Sequence, residues 1–324
     1  MNIGLDMMGG DFAPDEAVKG LLLYLNEKPN KAAIFCIGDE SKITPLLSSI
    51  NNSLHSFTLI HAAEVIGYNE HPTKALKEKP NSSIAIGFQL LVSGKIDAFI
   101  SAGNTGAMLV GAMFSIKAIQ GVQRPTIASI IPKINGATGL LLDVGLNADC
   151  KPEQLNQFSI LGSLYAQHIL NITSPKVGLM NVGEEEGKGN ILAQATYPLL
   201  KENKQINFVG NVEGRDTFTD KADVIVCDGF TGNIILKMAE SFYDIAKQRN
   251  LNGDEYLNRF DYENYGGTPV LGVAKPVIIG HGISNAIAFK NMISIARQML
   301  EKNLLQKPYA DELKISLNNL GEST

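Results

Sequence analysis

Short apolar runs alternate along the chain with longer segments whose apolar positions recur every three or four residues. NIGLD (2–6), AAIFCIG (32–38), DAFIS (97–101), TIASIIP (126–132), TGLLLDVG (138–145), KVGLMNVG (176–183), INFVG (206–210), DVIVCDG (223–229) and PVIIGHG (276–282) read as strands. Helical spacing follows Pro14, whose neighbours Asp15 and Glu16 suit a first turn, and returns over 39–50, 81–94, about 104–120 and 151–170. It returns again from about Asn190, from Thr231 and over 284–300, and the tail beyond Pro308 reads as one more helix. Strands alternating with helices predict an α/β fold, a three-layer αβα arrangement around a mainly parallel sheet. With no repeat, low-complexity stretch or linker-like shift in composition, the expectation is a single domain over 1–324 with two lobes.

In an open α/β sheet, ligands sit beyond the C-terminal ends of the strands. The segments that follow these strands are MMGGD, AGNTG, LNADCKPE, EEEGKGN, NVEGRD, FTGN and HGISN, nearly all combining glycine with Asn, Asp, Thr or Lys. The segments at the opposite ends, SGKID, GVQRP and NITSP, look ordinary. This asymmetry predicts that one edge of the sheet is a site. Two loops resemble each other, AGNTG (102–106) and DGFTGN (228–233), each strand, Gly-x-Thr-Gly, helix. Glycine lets a ligand approach the backbone, and a helix N-terminus leaves N–H groups and partial positive charge for an anion, to which Thr105 and Thr231 would add hydroxyls. The same residues are also ordinary turn and cap formers.

The charge balance narrows the partners. A net charge of −5 argues against nucleic acid, which needs a basic field. A mean hydropathy of +0.03, with no long apolar run, predicts no membrane span, and acids near the N-terminus do not fit a signal peptide, so a cytoplasmic protein is expected. Cys36, Cys150 and Cys227 are far apart and form no CxxC pair, which fits small apolar core residues and neither zinc nor disulfides. No metal and no cofactor is expected.

The familiar catalytic motifs are missing. MMGGDFAPD does not match the dinucleotide fingerprint, and GEEEGKG (183–189) is one residue short of a nucleotide-phosphate loop, with Gly189 where a magnesium-binding hydroxyl belongs. There is no GxSxG elbow and no HExxH, and His281 is the one histidine placed in the strand-end loops listed above. Anion donors without a nucleophile suggest that the anion is itself the nucleophile. Inorganic phosphate needs to be held and aimed, and the tetrahedral oxyanion stabilised, more than it needs activation.

LDMMGGDFAPDEAVKG, ISAGNTGAM, LLLDVGLNADCKPEQL, GLMNVGEEEGKGN, FVGNVEGRD, DVIVCDGFTGNIILK and NYGGTPVLGVAKPVIIGHG, in this order from residue 5 to 282, resemble the PlsX-type phosphate acyltransferases of bacterial phospholipid synthesis. The resemblance implies a fold similar to the isocitrate dehydrogenase and phosphotransacetylase group, and a homodimer. It implies transfer of a long-chain fatty acyl group from acyl-[acyl-carrier-protein] to inorganic phosphate, the acyl phosphate passing to a membrane glycerol-phosphate acyltransferase. Rival readings are a decarboxylating dehydrogenase or acetyl-phosphate-forming transferase of the same fold group, and a non-catalytic sensor of the carrier protein.

On this reading Gly103, Asn104, Thr105 and Gly106, with Gly229, Thr231, Gly232 and Asn233, bind phosphate and the developing acyl-phosphate oxygens, joined by Gly9, Gly10, Ser101 and Asn147 from the neighbouring loops. Asn233 either donates its amide to the oxyanion or satisfies its own helix start. Lys188 either neutralises phosphate or the leaving thiolate, or is a solvated lysine beside three glutamates. Arg215 either grips phosphate or pairs with Glu213 or Asp216. Asp6, Asp11, Asp143 and Asp228 would repel phosphate and are expected to orient other groups. His281 either protonates the leaving sulfur or is an ordinary loop histidine. Lys74, Lys77 and Lys79 form a candidate patch for an acidic carrier protein, or a plain solvated face. The stretch 241–265 is a short polar connection where many relatives have a longer apolar helical excursion, which puts peripheral membrane association in doubt.

Overall fold

The computed structural model describes residues 1–27, 32–48, 57–251 and 253–302, so the helix expected beyond Pro308 lies outside the described residues. The strands are β1 (Asn2–Asp6), β2 (Ala33–Gly38), β3 (Phe57–His61), β4 (Ala98–Ser101), β5 (Thr126–Pro132), β6 (Thr138–Leu142), β7 (Lys176–Met180), β8 (Asn207–Val212), β9 (Val224–Val226), β10 (Gly267–Leu271) and β11 (Val277–Gly280). The helices are α1 (Asp15–Asn26), α2 (Glu40–Ser48), α3 (Pro72–Glu78), α4 (Ser83–Val92), α5 (Thr105–Gly111), α6 (Pro152–His168), α7 (Ile191–Glu202), α8 (Gly229–Gln248), α9 (Glu255–Asn258) and α10 (Ala286–Glu301). They divide between two compact units, the first made of Met1–Lys117 with Tyr262–Glu301 and the second of Ala118–Asp261.

In the first unit the strand order is β3-β2-β1-β4-β11-β10. All neighbours are parallel except β10, which runs antiparallel to β11. Helices pack on this sheet as the alternating pattern requires. Gly20 lets α1 close on α10, since a Cβ there would stand 2.7 Å from the Ala286 carbonyl oxygen. Gly87 of α4 lies directly over the Phe99 ring of β4. Parallel pairing fixes one consequence for function: the loops after β1, β4 and β11 emerge at the same edge.

The second unit has the order β5-β6-β9-β7-β8, with β5 antiparallel to β6 and the remainder parallel. The loops after β6, β9, β7 and β8 therefore also share one edge. Pro152 opens α6, and the Gln154 side chain accepts from the Lys151 amide at 2.9 Å, satisfying a donor at the helix start. Beyond α8 the chain turns into the short α9. Phe260 meets Phe218, Phe242 and Tyr256 edge to face, with ring centroids 5.2 to 5.3 Å apart, and so folds the segment after α8 back onto its own unit. Arg259 adds bonds to the carbonyls of Lys133 (3.0 Å) and Ala137 (2.6 Å).

The alternation of patterns is the alternation of elements, with three differences. The helix expected over 104–120 is α5 followed by a π-helical turn, Ala112–Ile116, closed by Lys117 at φ 67°. Strand β3 is half-buried at Phe57, Leu59 and Ile60 and exposed at Thr58 and His61, and Thr58 interrupts its apolar run. Strand β10 carries Gly267 and Pro269, which suppress a strand signal. Among the described residues no helix is long and apolar enough to cross a membrane.

Candidate active site

The edge of the first unit is organised by a buried carboxylate. Asp6 ends β1, is 1 % exposed, and accepts from the Met8 amide (2.9 Å) and the Ser101 hydroxyl (2.6 Å). Burial raises its pKa above the ordinary value, opposed by hydrogen bonds from Ser101, Ser83 and the amides of Met8 and Gly9. The Ser101 oxygen in turn accepts from the Gly103 amide at 2.9 Å. A Cβ on Gly9 would lie 2.6 Å from the Gly103 nitrogen, so the loops after β1 and β4 touch backbone to backbone. The Asp11 amide donates to the Gly282 carbonyl (2.7 Å) and brings in the loop after β11, where the His281 carbonyl accepts from the amide (3.0 Å) and hydroxyl (2.6 Å) of Ser284. Gly10, at φ 109°, makes the turn that permits this approach.

Asn104 caps α5. Its side-chain oxygen accepts from Ala107 (2.9 Å), while its Nδ2 donates to the carbonyls of Gly67 (2.8 Å), Tyr68 (3.3 Å) and Glu70 (3.3 Å). Thr105 and Gly106 are the first two residues of the helix, and their amides have no partner within it. Thr105 is exposed. The cap is uncharged, and the carboxylate behind it is fully occupied.

The edge of the second unit repeats the plan with different parts. Asp143 follows β6, is fully buried, and accepts from the amides of Ile127 (3.4 Å), Gly145 (3.2 Å), Leu146 (3.1 Å) and Asn147 (2.7 Å) and from the Asn147 side chain (2.7 Å). Burial raises its pKa as well, against those hydrogen bonds. The Asn147 carbonyl then accepts from the Gly229 amide at 2.7 Å. Asp228 caps α8, accepting from the amide and the hydroxyl of Thr231, both at 2.9 Å, and its carbonyl accepts from Gly232 (3.0 Å). The expectation of a second open cradle is corrected here. The amides of Gly229, Thr231 and Gly232 and the Thr231 hydroxyl are all engaged within the protein, Gly229 by the Asn147 carbonyl, Gly232 by the Asp228 carbonyl, and both Thr231 donors by the Asp228 carboxylate. Asn233 is exposed beside Gly145, its side chain free of hydrogen bonds among the described residues.

The loops after β7 and β8 form a second cluster on this edge, joined through Asn211, whose Nδ2 donates to the Glu185 carbonyl at 2.9 Å. Lys188 is exposed here and makes no ion pair among the described residues. Two of the glutamates that precede it use other cations, Glu184 with Lys221 (2.7 Å) and Glu186 with Lys201 (2.8 Å). Arg215 is paired with Glu213. Lys79 is likewise structural, bonded to Glu70 (2.6 Å) and to the Val65 carbonyl (2.9 Å), which leaves Lys74 and Lys77 of the candidate patch exposed.

No side chain here is a poised nucleophile. Ser101 is 0 % exposed, its hydroxyl donating to the Asp6 carboxylate. Burial pushes the thiols of Cys36 and Cys150 up to about 12, and that of Cys227 well above its ordinary value. One residue absent from the sequence-derived set stands at the first edge. The Tyr68 hydroxyl donates to the Ala102 carbonyl at 3.1 Å. It belongs to the loop after β3, which would have joined the strand-end segments had FTLIH (57–61) been read as a strand.

The model of the family described as fatty acid synthesis protein matches residues 1–307. Relatives named phosphate acyltransferase include those of Aquifex aeolicus (44 % identical, covering 95 % of each chain) and Halothermothrix orenii (43 %, covering 94 % of this chain and 96 % of the relative). Among solved structures, a phosphotransacetylase from Streptococcus pyogenes superposes with a TM-score of 0.66 at 17 % identity, covering 93 % of this chain and 94 % of that one. A branched-chain phosphotransacylase from Enterococcus faecalis gives 0.61 at 13 %, covering 93 % and 99 %. At these identities the structural likeness establishes the fold alone, in agreement with the expected fold group. The chain belongs to the fatty acid synthesis protein family, the PlsX-type phosphate acyltransferases, and is an acyltransferase.

Proposed function

We propose that this enzyme moves a long-chain fatty acyl group from acyl-[acyl-carrier-protein] to inorganic phosphate, releasing acyl phosphate for phosphatidic acid synthesis. The observation that carries this reading is the pairing of open amides at Thr105 and Gly106, behind an uncharged cap, with the absence of any accessible activated nucleophile among the described residues. Phosphate oxygen attacks the thioester carbonyl and forms the new C–O bond. The tetrahedral oxyanion collapses, the C–S bond breaks, and the carrier thiolate leaves and takes up a proton.

The amides of Thr105 and Gly106 and the Thr105 hydroxyl hold phosphate. His281, in the same unit, protonates the departing sulfur. Lys188, exposed and unpaired with its neighbouring glutamates, and the Asn233 side chain are the candidate cation and amide donor on the edge of the second unit, each tested by replacement with alanine. Asp6, Asp143 and Asp228 act by fixing backbone groups. The enzyme works as a homodimer, and a membrane glycerol-phosphate acyltransferase consumes the product. Incubation with palmitoyl-carrier protein and labelled phosphate should yield labelled acyl phosphate, trapped by hydroxylamine as the hydroxamate. A covalent acyl-enzyme formed on the catalytic route would overturn the reading.

A further inference from the structure

The flank of the first unit carries a groove that the strand-end loops do not use. It lies between α3, α4 and the π-helical turn Ala112–Ile116 and holds a cavity of about 390 Å³, lined mainly by Leu76, Ala85, Phe88, Val92 and Ser115. Its floor is fixed in place: the Phe88 ring meets Phe99 edge to face, 5.2 Å between centroids, and a Cβ on Gly111 would come within 2.1 Å of it. Val92 on its wall is 56 % exposed, and Phe114, next to Ser115 in the turn, is 73 % exposed. Exposed apolar side chains around a concave apolar floor mark a surface that a ligand or partner covers. The charge around the groove has one sign. The chain as a whole carries −5, yet the segments that build the groove, 72–95 and 112–117, hold five lysines (Lys74, Lys77, Lys79, Lys95 and Lys117) and one acid, Glu78. Glu78 stands 3.8 Å from Lys74, and Lys79 is taken by Glu70. Lys77, Lys95 and Lys117 are left, each exposed, each within two residues of a lining side chain, and none in an ion pair among the described residues. Helix α3 leads from the groove to the strand-end edge, where a Cβ on Gly106 would stand 2.4 Å from the Pro72 ring.

We propose that this groove docks an acidic amphipathic helix of a partner protein, with the helix's apolar face on Phe88, Val92 and Phe114 and its carboxylates on Lys77, Lys95 and Lys117. A helix laid in a groove inserts side chains into the floor and aligns its charged flanks with the rim, which matches an apolar cavity edged by cations. A membrane surface is flat and would leave the floor at Phe88 uncovered. The partner is the carrier protein that brings the acyl donor, an identity that rests on the acyl-transfer reading.

The test is the double variant Lys77→Glu with Lys95→Glu, two exposed positions, in the full chain. The Michaelis constant for palmitoyl-carrier protein should rise about tenfold. The melting temperature and the Michaelis constant for palmitoyl-pantetheine, a donor without the protein, should match wild type. Carrier protein without an acyl chain, titrated by calorimetry, should bind wild type more weakly as salt rises, and the variant should lose both affinity and salt dependence. Phe114→Ala should weaken the same binding about fivefold and keep its salt dependence. Equal carrier affinity in wild type and the double variant overturns the proposal and leaves the acyl-transfer reading standing. An equal loss with palmitoyl-pantetheine does the same, since it marks a structural effect. So does binding of wild type to anionic vesicles that the double variant loses while its carrier affinity is unchanged, since that assigns the groove to a membrane. A wild-type protein that binds the carrier through these lysines but makes no acyl phosphate upholds the groove and brings down the acyl-transfer reading.

Discussion

The loops after β4 and after β9 share the motif Gly-x-Thr-Gly, yet their helices begin at different points in it. In the first unit Asn104 caps from inside the motif, so Thr105 and Gly106 become the first helical residues. In the second unit Asp228 caps from outside it, and the whole motif is drawn into the first turn of α8. Behind each loop stands a neighbouring parallel strand followed by a buried aspartate, Asp6 beside β4 and Asp143 beside β9, but the link differs. A serine hydroxyl joins Asp6 to the Gly103 amide, and an asparagine carbonyl joins the Asp143 loop to the Gly229 amide. Both caps take the same two amides, Ala107 and Met108 on Asn104 and Thr231 and Gly232 on Asp228, and the difference is the first helical amide, which Gly229 gives to the Asn147 carbonyl while Thr105 has no such acceptor among the described residues. Identical motifs therefore do not imply identical chemistry. The acceptor offered by the neighbouring loop, here the Asn147 carbonyl, decides whether the first amide remains for a ligand.

The sharpest way to strain this comparison is to remove the two aspartates. Asp143→Ala leaves several buried amides without an acceptor and should cost about 4 kcal/mol of unfolding free energy, against about 2–3 kcal/mol for Asp6→Ala, read by denaturant titration. Equal losses would show that the extra amides on Asp143 add nothing. Both carboxyls have pKa values raised by burial, so the folded protein binds their protons more tightly than the unfolded chain. Their contribution is thus largest below the ordinary value of 3.8 and declines as pH rises through the raised values. Asp143→Asn should flatten that decline.

The glycines give the next effect. A Cβ on Gly229 would stand 2.7 Å from the Asn147 carbonyl oxygen, and one on Gly232 would overlap that of Asp143, both backbone atoms that cannot step aside. A Cβ on Gly103 meets the Ser101 oxygen at 3.1 Å. Gly232→Ala should cost about 3 kcal/mol and Gly103→Ala about 1 kcal/mol, measured by thermal melting. The residues two before each first glycine, Ser101 and Cys227, come third. Ser101→Ala strips a donor from Asp6 and should cost about 2 kcal/mol, while Cys227→Ala removes only a weak sulfur contact and should cost about 1 kcal/mol. A reversed order would mean that the hydroxyl bridge is dispensable.

The smallest structural effect is the most informative about function. Thr105→Val should leave the melting temperature unchanged and lower kcat/KM for phosphate about tenfold, while Thr231→Val should lose about 1 kcal/mol of stability with turnover nearly intact. If Thr231→Val proves the more damaging to turnover, phosphate sits at the second loop instead.

Much of this arrangement was legible in the amino-acid pattern. Fully buried strands such as AFIS and VIV announce themselves as apolar runs, and the glycine-rich segments after them mark the edges. What the pattern does not carry is hydrogen-bond direction. Nothing in NTG against FTG tells whether the helix starts before or after the first glycine. That depends on whether Asn104 can also reach the carbonyls of the 67–70 loop, a long-range contact. Tyr68 was missed for a related reason, because β3 is too exposed to read as a strand and the loop it feeds went unnoticed. Arg215 was legible together with Glu213 as one of its two nearby acids, whereas the partner of Lys79, Glu70, is set by the fold.

The ring cluster at Phe218, Phe242, Tyr256 and Phe260 has a practical corollary. It clamps the chain on both sides of the turn at Asn250 and Leu251, where Asn250 already adopts φ 58° and Leu251 is exposed. A foreign peptide spliced in between Asn250 and Leu251 would dangle outside the clamp, making this turn a natural port for a fluorescent or affinity tag.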